Sequence, residues 1–297
     1  MLFATALAAT GLILSPYGPV SDLGLKEAKS GLPWYGFDSQ DPLLDVVRIQ
    51  KIQTSNESAC EDAVKNISRL SFGTPFVGSA FSGLSFNEWG PWAEKDADAV
   101  KDCDDFPCKV KLSESEVLAM KKSPEAKRMD AFFTLVSART EAYRKNQIRL
   151  EYEFPGTPVD PWKWFDAHGF SAGGLPVGAP STWIRKLDLH TDKMRPIRQV
   201  LDVRTIVEPL RATAWVRDTY TAHYFDGWGE WHQISCDPST HLVTVVQSLF
   251  VDLDLMKSKN IFARLGRSKM RNGVKEQGSK YLDDQFSKLG LTAIEHK

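Results

Sequence analysis

Between residues 182 and 255 the sequence holds four long strand-like runs, and the links between them are too short to allow anything but antiparallel neighbours. The runs cover 182–190, 196–208, 212–231 with a bend at Gly227, and 241–255; only 191–195, 209–211 and 237–240 are left as turns. A parallel crossover takes about a dozen residues or more, so this part of the chain is predicted to be an antiparallel meander.

The last run alternates cleanly. Val243, Val245, Gln247, Leu249, Val251, Leu253 and Leu255 share a face predicted to meet the core, and Thr244, Ser248, Asp252 and Asp254 lie mostly on the other. In the run before it, Ala214, Val216, Asp218, Tyr220, Ala222 and Tyr224 form the expected interior face. That places Asp218 where a lone charge is costly, with Arg204 on the neighbouring run offered as its partner. A helix-forming stretch over 258–289 closes the chain, with a stripe of Phe262, Leu265, Met270, Val274, Tyr281, Leu282, Phe286 and Leu289. Gly266, Gly273 and Gly278 lie close to that stripe. Each costs about 1 kcal/mol relative to alanine inside a helix. Either a close approach to the sheet or room for a ligand offsets the cost, or the helix breaks there.

The run VTVVQSLFVDLDL passing into KSKNIFARLGRSKMRNGVKEQGSKYLDDQF resembles the closing part of the START-like helix-grip superfamily, over roughly 182–289. The resemblance implies an α+β fold in which a curved antiparallel sheet wraps a long C-terminal helix and encloses an apolar cavity for a lipid, sterol or other hydrophobic molecule. In that arrangement the inward ligand-binding side chains are Val216, Tyr220 and Tyr224 from one strand, Val245, Gln247, Leu249 and Val251 from the next, and Met270 and Val274 from the helix. Gly273 would face the cavity.

The first 180 residues are organised differently. Segment 23–112 reads as an irregular N-terminal part of the same domain, rich in Gly, Pro, Ser and aromatics, with a strand over 46–53 and a helix over 60–70 as its better-defined pieces. Segment 113–180 reads as helical with an aromatic lid, and 181–297 as the meander with its helix. Ser113 and Glu116 make a capping box, and Ser123 followed by Pro124 is an N-cap with a first-turn proline for a second helix to about 146. Asp160 and Pro161 open a short helix over 162–167, carrying Trp162, Trp164 and Phe165.

Residues 2–14 are apolar but shorter than the ~20 residues of a membrane span, and so read as the core of a signal peptide within 1–22, the mature chain starting between Ala9 and Leu23. No basic residue precedes the run, which leaves a buried strand as the alternative. Cys60, Cys103, Cys108 and Cys236 are an even set, expected to pair as Cys103–Cys108 and Cys60–Cys236 in an oxidising compartment, either periplasmic or secreted. Four free thiols is the other reading.

Lys and Arg total 37 against 38 Asp and Glu, which gives no overall basic field for nucleic acid. The last helix, however, gathers Lys257, Lys259, Arg264, Arg267, Lys269, Arg271, Lys275 and Lys280, a face suited to transient contact with an anionic membrane. No nucleotide, metal or nucleophile motif occurs, and no catalytic residue, metal or cofactor is assigned. The densest chemical cluster is HYFDGWGEWH, with His223, Asp226, Glu230 and His232. The balance favours a binding protein for a hydrophobic small molecule over a hydrolase built on 223–232 or a structural envelope protein without ligand.

Overall fold

The computed structural model describes residues 18–40, 43–70, 84–88, 112–124, 127–144, 181–189, 197–221, 225–253, 256 and 261–291. In chain order the elements are α1 (Gly18–Glu27), β1 (Trp34–Gln40), β2 (Leu43–Gln53), α2 (Glu57–Lys65) with a 3-10 turn (Asn66–Arg69), β3 (Leu84–Glu88), α3 (Glu114–Lys121), α4 (Arg128–Arg144), β4 (Ser181–Leu189), β5 (Ile197–Glu208), β6 (Arg211–Thr221), β7 (Phe225–Asp237), β8 (Leu242–Leu253) and α5 (Ile261–Lys288). The strands form one antiparallel sheet in the order β1-β2-β8-β7-β6-β5-β4-β3. The fold is α+β, a curved open sheet packed against the long C-terminal helix.

Local chemistry sets the boundaries. Both halves of the capping box form at α3: Ser113 Oγ accepts from the Glu116 amide, and Glu116 Oε2 accepts from the Ser113 amide at 2.7 Å. Glu116 also receives the Arg139 guanidinium, which ties α3 to α4. Asn56 caps α2 by accepting from the Ala59 amide. The second helix is described from Arg128, and just before it Lys127 N donates to Pro124 O; residues 125 and 126, between the Ser123–Pro124 signal and the helix, lie outside the described residues. Past the end of α5, Gly290 takes a φ of +64°, a left-handed conformation that glycine adopts without a Cβ clash. The helix is continuous through Gly266, Gly273 and Gly278, so of the two alternatives the one with breaks does not occur.

The meander departs from expectation at one important point. The run 212–231 is not one strand but two, β6 and β7, which pair with each other through Arg211↔Ser235 to Arg217↔Gly229. Gly227 marks a bulge in the β7–β8 ladder, where the register shifts between Phe225 and Gly227. Consequently β6 and β8 are not neighbours, because β7 lies between them and continues to Asp237. The N-terminal segment is also more regular than expected: β1 and β2 pair, and β2 joins β8 along eleven registered residues, Leu43↔Asp252 to Gln53↔Leu242.

Both faces of the central strands are buried. On the inner face, α5 packs against β1, β2 and β8, and an apolar cluster forms from Leu44, Val46, Val216, Trp228, Leu249, Val251, Val274 and Leu282. Below it, α2 lays Cys60, Ala63, Val64 and Ile67 on Ala212, Ala214, Ile234 and Val245. Cys60 and Cys236 form the expected disulfide with Cα atoms 5.5 Å apart, stapling α2 to β7. On the outer face α1 covers Val47, Ile49 and Val246. Residues 1–17, Cys103, Cys108 and the 162–167 segment lie outside the described residues.

Candidate functional site beneath the terminal helix

Strand register assembles two rows on the inner face. Val216, Glu230, Leu249 and Val46 make one row across β6, β7, β8 and β2; Ala214, His232, Gln247 and Arg48 make the next. The helix α5 crosses both. It comes closest at Gly278, where an added Cβ would lie 3.0 Å from Val46 Cγ2 and 3.3 Å from Leu249 Cδ2. Of the three helix glycines, Gly278 therefore makes the close approach to the sheet.

Glu230 is fully buried, and its carboxylate accepts from three directions. Trp228 Nε1 donates to Oε1 at 3.1 Å, Tyr281 Oη donates to Oε2 at 2.5 Å, and His232 Nε2 lies 3.0 Å from Oε2. The imidazole tautomer follows from the neighbours. A guanidinium only donates, so Gln247 Oε1 faces Arg48 at 3.5 Å and Gln247 Nε2 faces His232 Nδ1 at 3.2 Å. Nδ1 is then the acceptor, and Nε2 carries the proton that it donates to Glu230. Arg48, only 3 % exposed, continues the chain outward: Nε pairs with Asp283 at 2.8 Å, Nη2 donates to Gln50 Oε1 at 2.5 Å, and the guanidinium stacks 3.8 Å above the Phe286 ring. Tyr35 also donates to Asp283, so the network runs from the core to the surface.

Chemically, this is an anchor. Both imidazole nitrogens are engaged, and the carboxylate accepts from three donors, one at Oε1 and two at Oε2. Burying a carboxylate is costly, and three donors, including the charge-assisted bond from Tyr281, are what make it tolerable. Of the four residues in the HYFDGWGEWH cluster, the structure brings together Glu230 and His232; His223 lies outside the described residues, and Asp226 sits at the β7 bulge. Among the described residues no group of three or more His, Cys, Asp and Glu side chains could hold a metal ion.

The nine residues expected to bind ligand are placed as follows. Val216, Leu249, Val251 and Val274 are buried in one apolar cluster, and Met270 packs at its edge. Val245 belongs instead to the cluster under α2, and Gln247 to the hydrogen-bonded row. Tyr220 pairs with Val200 in the β5–β6 ladder, and Tyr224 lies outside the described residues. Asp218 is buried as expected, but the ladder pairs Arg204 with Trp215 and Asp218 with Leu201. Gly273 is not pressed onto the sheet as Gly278 is: among the described residues, an added Cβ there, as at Gly266, meets nothing within 4 Å.

Sequence reasoning missed Arg48, Tyr281 as a donor, and Gln277. The signal for Arg48 was present: Val46, Arg48, Gln50 and Ile52 alternate onto one face, so two polar residues sit between buried apolar ones. On α5 the face of Val274, Gly278, Tyr281 and Leu282 also carries Gln277 and Gln285, 1 % and 0 % exposed. Both polar atoms of Gln277 lack a hydrogen-bond partner. No protein-family model, curated protein or solved structure matches this chain.

Proposed function

We propose that the chain is an exported binding protein of START-like, helix-grip type that takes up a hydrophobic small molecule, a lipid or sterol, beside α5 on the inner face of its sheet. The observation that carries the reading is the hollow flank of that helix. Gly266, Met270, Gly273 and Gln277 follow one another at spacings of four, three and four, which puts them on one side of a helix. Tyr281, one turn beyond Gln277, reaches β7, so this side is turned toward β7 and β6.

The relative widths of sheet and helix support room on that side. Eight strands at ~4.8 Å spacing make a sheet about 34 Å wide, whereas a helix with its side chains is ~10 Å across. The helix packs on β1, β2 and β8, while α2 covers the end of β6–β8 that carries Ala212, Ala214, Ile234 and Val245 and α4 also contacts β5 and β6, so the proposed space is the stretch of inner face between α5 and α2, beside the glycine flank. A trough that begins at two glycines, passes a flexible methionine and ends at a buried amide suits an apolar ligand with one polar group.

Export is supported by the Cys60–Cys236 disulfide, and no described helix is long and apolar enough to cross a membrane. Lys269 and Lys275 are exposed on α5 and would meet an anionic surface, whereas Lys280 is paired with Glu276 at 2.7 Å.

The test is native mass spectrometry of the purified protein. A co-purifying neutral lipid or sterol at up to one per chain is expected, reduced in Gly273→Phe, whose side chain would enter the proposed space from a position where the Cβ meets no described atom within 4 Å. Protein that is free of lipid and stays so after exposure to mixed lipids overturns the reading. The hydrolase alternative has the Glu230–His232 contact in its favour. It requires an ester- or amide-cleaving turnover that Glu230→Gln abolishes.

A further inference from the structure

We infer that Gln277 anchors the head of the bound molecule and that this head is an acyl amide, an inference that rests on the binding function proposed above. Gln277 is 1 % exposed, and neither its Oε1 nor its Nε2 has a hydrogen-bond partner. Leaving a buried amide unsatisfied costs about 1–3 kcal/mol, and most buried polar groups are paired. Further along the helix Gln285, 0 % exposed, also leaves its Oε1 without a partner while its Nε2 donates to Asp284; at Gln277 both polar atoms are orphaned. One turn away Tyr281 is fully paired to Glu230, and Gly278, next in sequence, is pressed onto Val46 and Leu249. The orphaned amide thus lies beside closely packed neighbours, on the same side of α5 as Gly266 and Gly273, whose Cβ positions meet no described atom within 4 Å.

The donor set selects the ligand chemistry. A glutamine side chain offers one carbonyl acceptor and an NH2 donor side by side. Its full complement is a group with an acceptor and a donor in the same plane, which a carboxamide provides through two parallel N–H···O bonds. A carboxylate only accepts, leaving Oε1 without a donor and adding a negative charge under the helix whose Tyr281 is already committed to the Glu230 carboxylate. A single hydroxyl satisfies one of the two atoms well, not both. The apolar side chains beyond, Met270, Val274 and Val216, suit the alkyl chain.

The probes are dodecanamide, dodecanoate and dodecanol, three heads on one chain length, titrated calorimetrically into the full-length protein stripped of lipid. The wild type is expected to bind the amide at least tenfold more tightly than either of the others. Gln277→Met keeps the volume and the apolar contacts but loses both polar atoms; it should bind all three alike, with the amide weakened to the level of the alcohol, and should unfold no lower in temperature than the wild type. Gly273→Phe should weaken all three together. Wild-type protein that binds the three equally, or Gln277→Met that keeps the amide preference, overturns the inference and leaves Gln277 holding water, while binding itself stands. Failure of all three probes to bind, with no lipid found by mass spectrometry, defeats the binding function as well.

Discussion

Tyr281→Phe tests the grip of α5 on the sheet directly. The ring is 3 % exposed and remains in the variant, so no cavity opens; what is lost is one hydroxyl donating at 2.5 Å to a carboxylate with no exposure. Hydrogen bonds to charged groups contribute about 1.5–3 kcal/mol, well above the ±0.5 kcal/mol scatter of surface changes. For a chain of this size each kcal/mol moves the thermal midpoint by about 2–4 °C, so a fall of about 3–12 °C is expected by circular dichroism. Glu230→Gln measured alone and together with Tyr281→Phe completes a double-mutant cycle. A coupling of about 1–3 kcal/mol is expected for groups in contact. A midpoint within one degree of wild type, or fully additive single effects, would refute the claim that this bond holds the helix.

Asp45 lies on the outer face; burial pushes its carboxyl up to about 7, against a 2.6 Å hydrogen bond from Ser248 that lowers it, with the Asp38 charge adding to the rise. The folded state then holds a proton that the unfolded state releases near pH 4, so this stability is complete below about pH 4 and is lost as pH rises to about 7. Asp45→Asn should remove that slope and exceed wild type in stability at pH 8, by something of the order of 4 kcal/mol, with the two converging near pH 4; parallel pH profiles would count against it. Reduction of Cys60–Cys236, which spans 176 residues, removes up to about 5 kcal/mol on the chain-entropy estimate, so Cys60→Ala/Cys236→Ala should melt well below the wild type, and a midpoint indifferent to reductant would contradict the staple. Arg48→Met frees Gln247 to turn, so nitrogen NMR should show the His232 proton leaving sole residence on Nε2; an unchanged tautomer would show that Arg48 does not set it.

Where sequence reasoning succeeded, a local rule carried the information. Alternation in 243–253 identified the inner face because each strand residue points away from its neighbour, and the Ser113–Glu116 box marked a helix start because both partners lie within one turn. Cys60 and Cys236 were matched by taking the close pair out first. The hairpin between β6 and β7 was hidden because its link, 222–224, reads Ala-His-Tyr and contains no turn residue, while the conspicuous Gly227 belongs to a bulge and Gly229 makes room for the Phe250 ring across the ladder. That single error removed β7 from the expected sheet and with it the strand that places Trp228, Glu230 and His232 in one column. The roles of the helix glycines were illegible for a different reason. Spacing fixes which residues share a side of α5, but only its docked rotation decides that Gly278 is pressed onto the sheet and Gly273 is not.

That rotation is set by polar residues, and they are unevenly distributed along the helix. Tyr281 bonds to β7, and Asp283 with Phe286 clasps Arg48 of β2, all within six residues of the C-terminal half. Apolar packing alone tolerates a helix turned by some degrees, because Val274 and Leu282 find comparable contacts in several orientations. A buried carboxylate does not tolerate it, since loss of the Tyr281 donor leaves an uncompensated lone pair in the core. The polar network therefore specifies one docking angle more than it adds net stability. The N-terminal half of α5 carries Gly266 and Gly273, whose Cβ positions meet no described atom within 4 Å, and is the half beside which the ligand is proposed to sit. A helix held by polar contacts in its C-terminal half and slim at its glycines would let a proposed ligand space beside it vary in shape while the fold stays fixed.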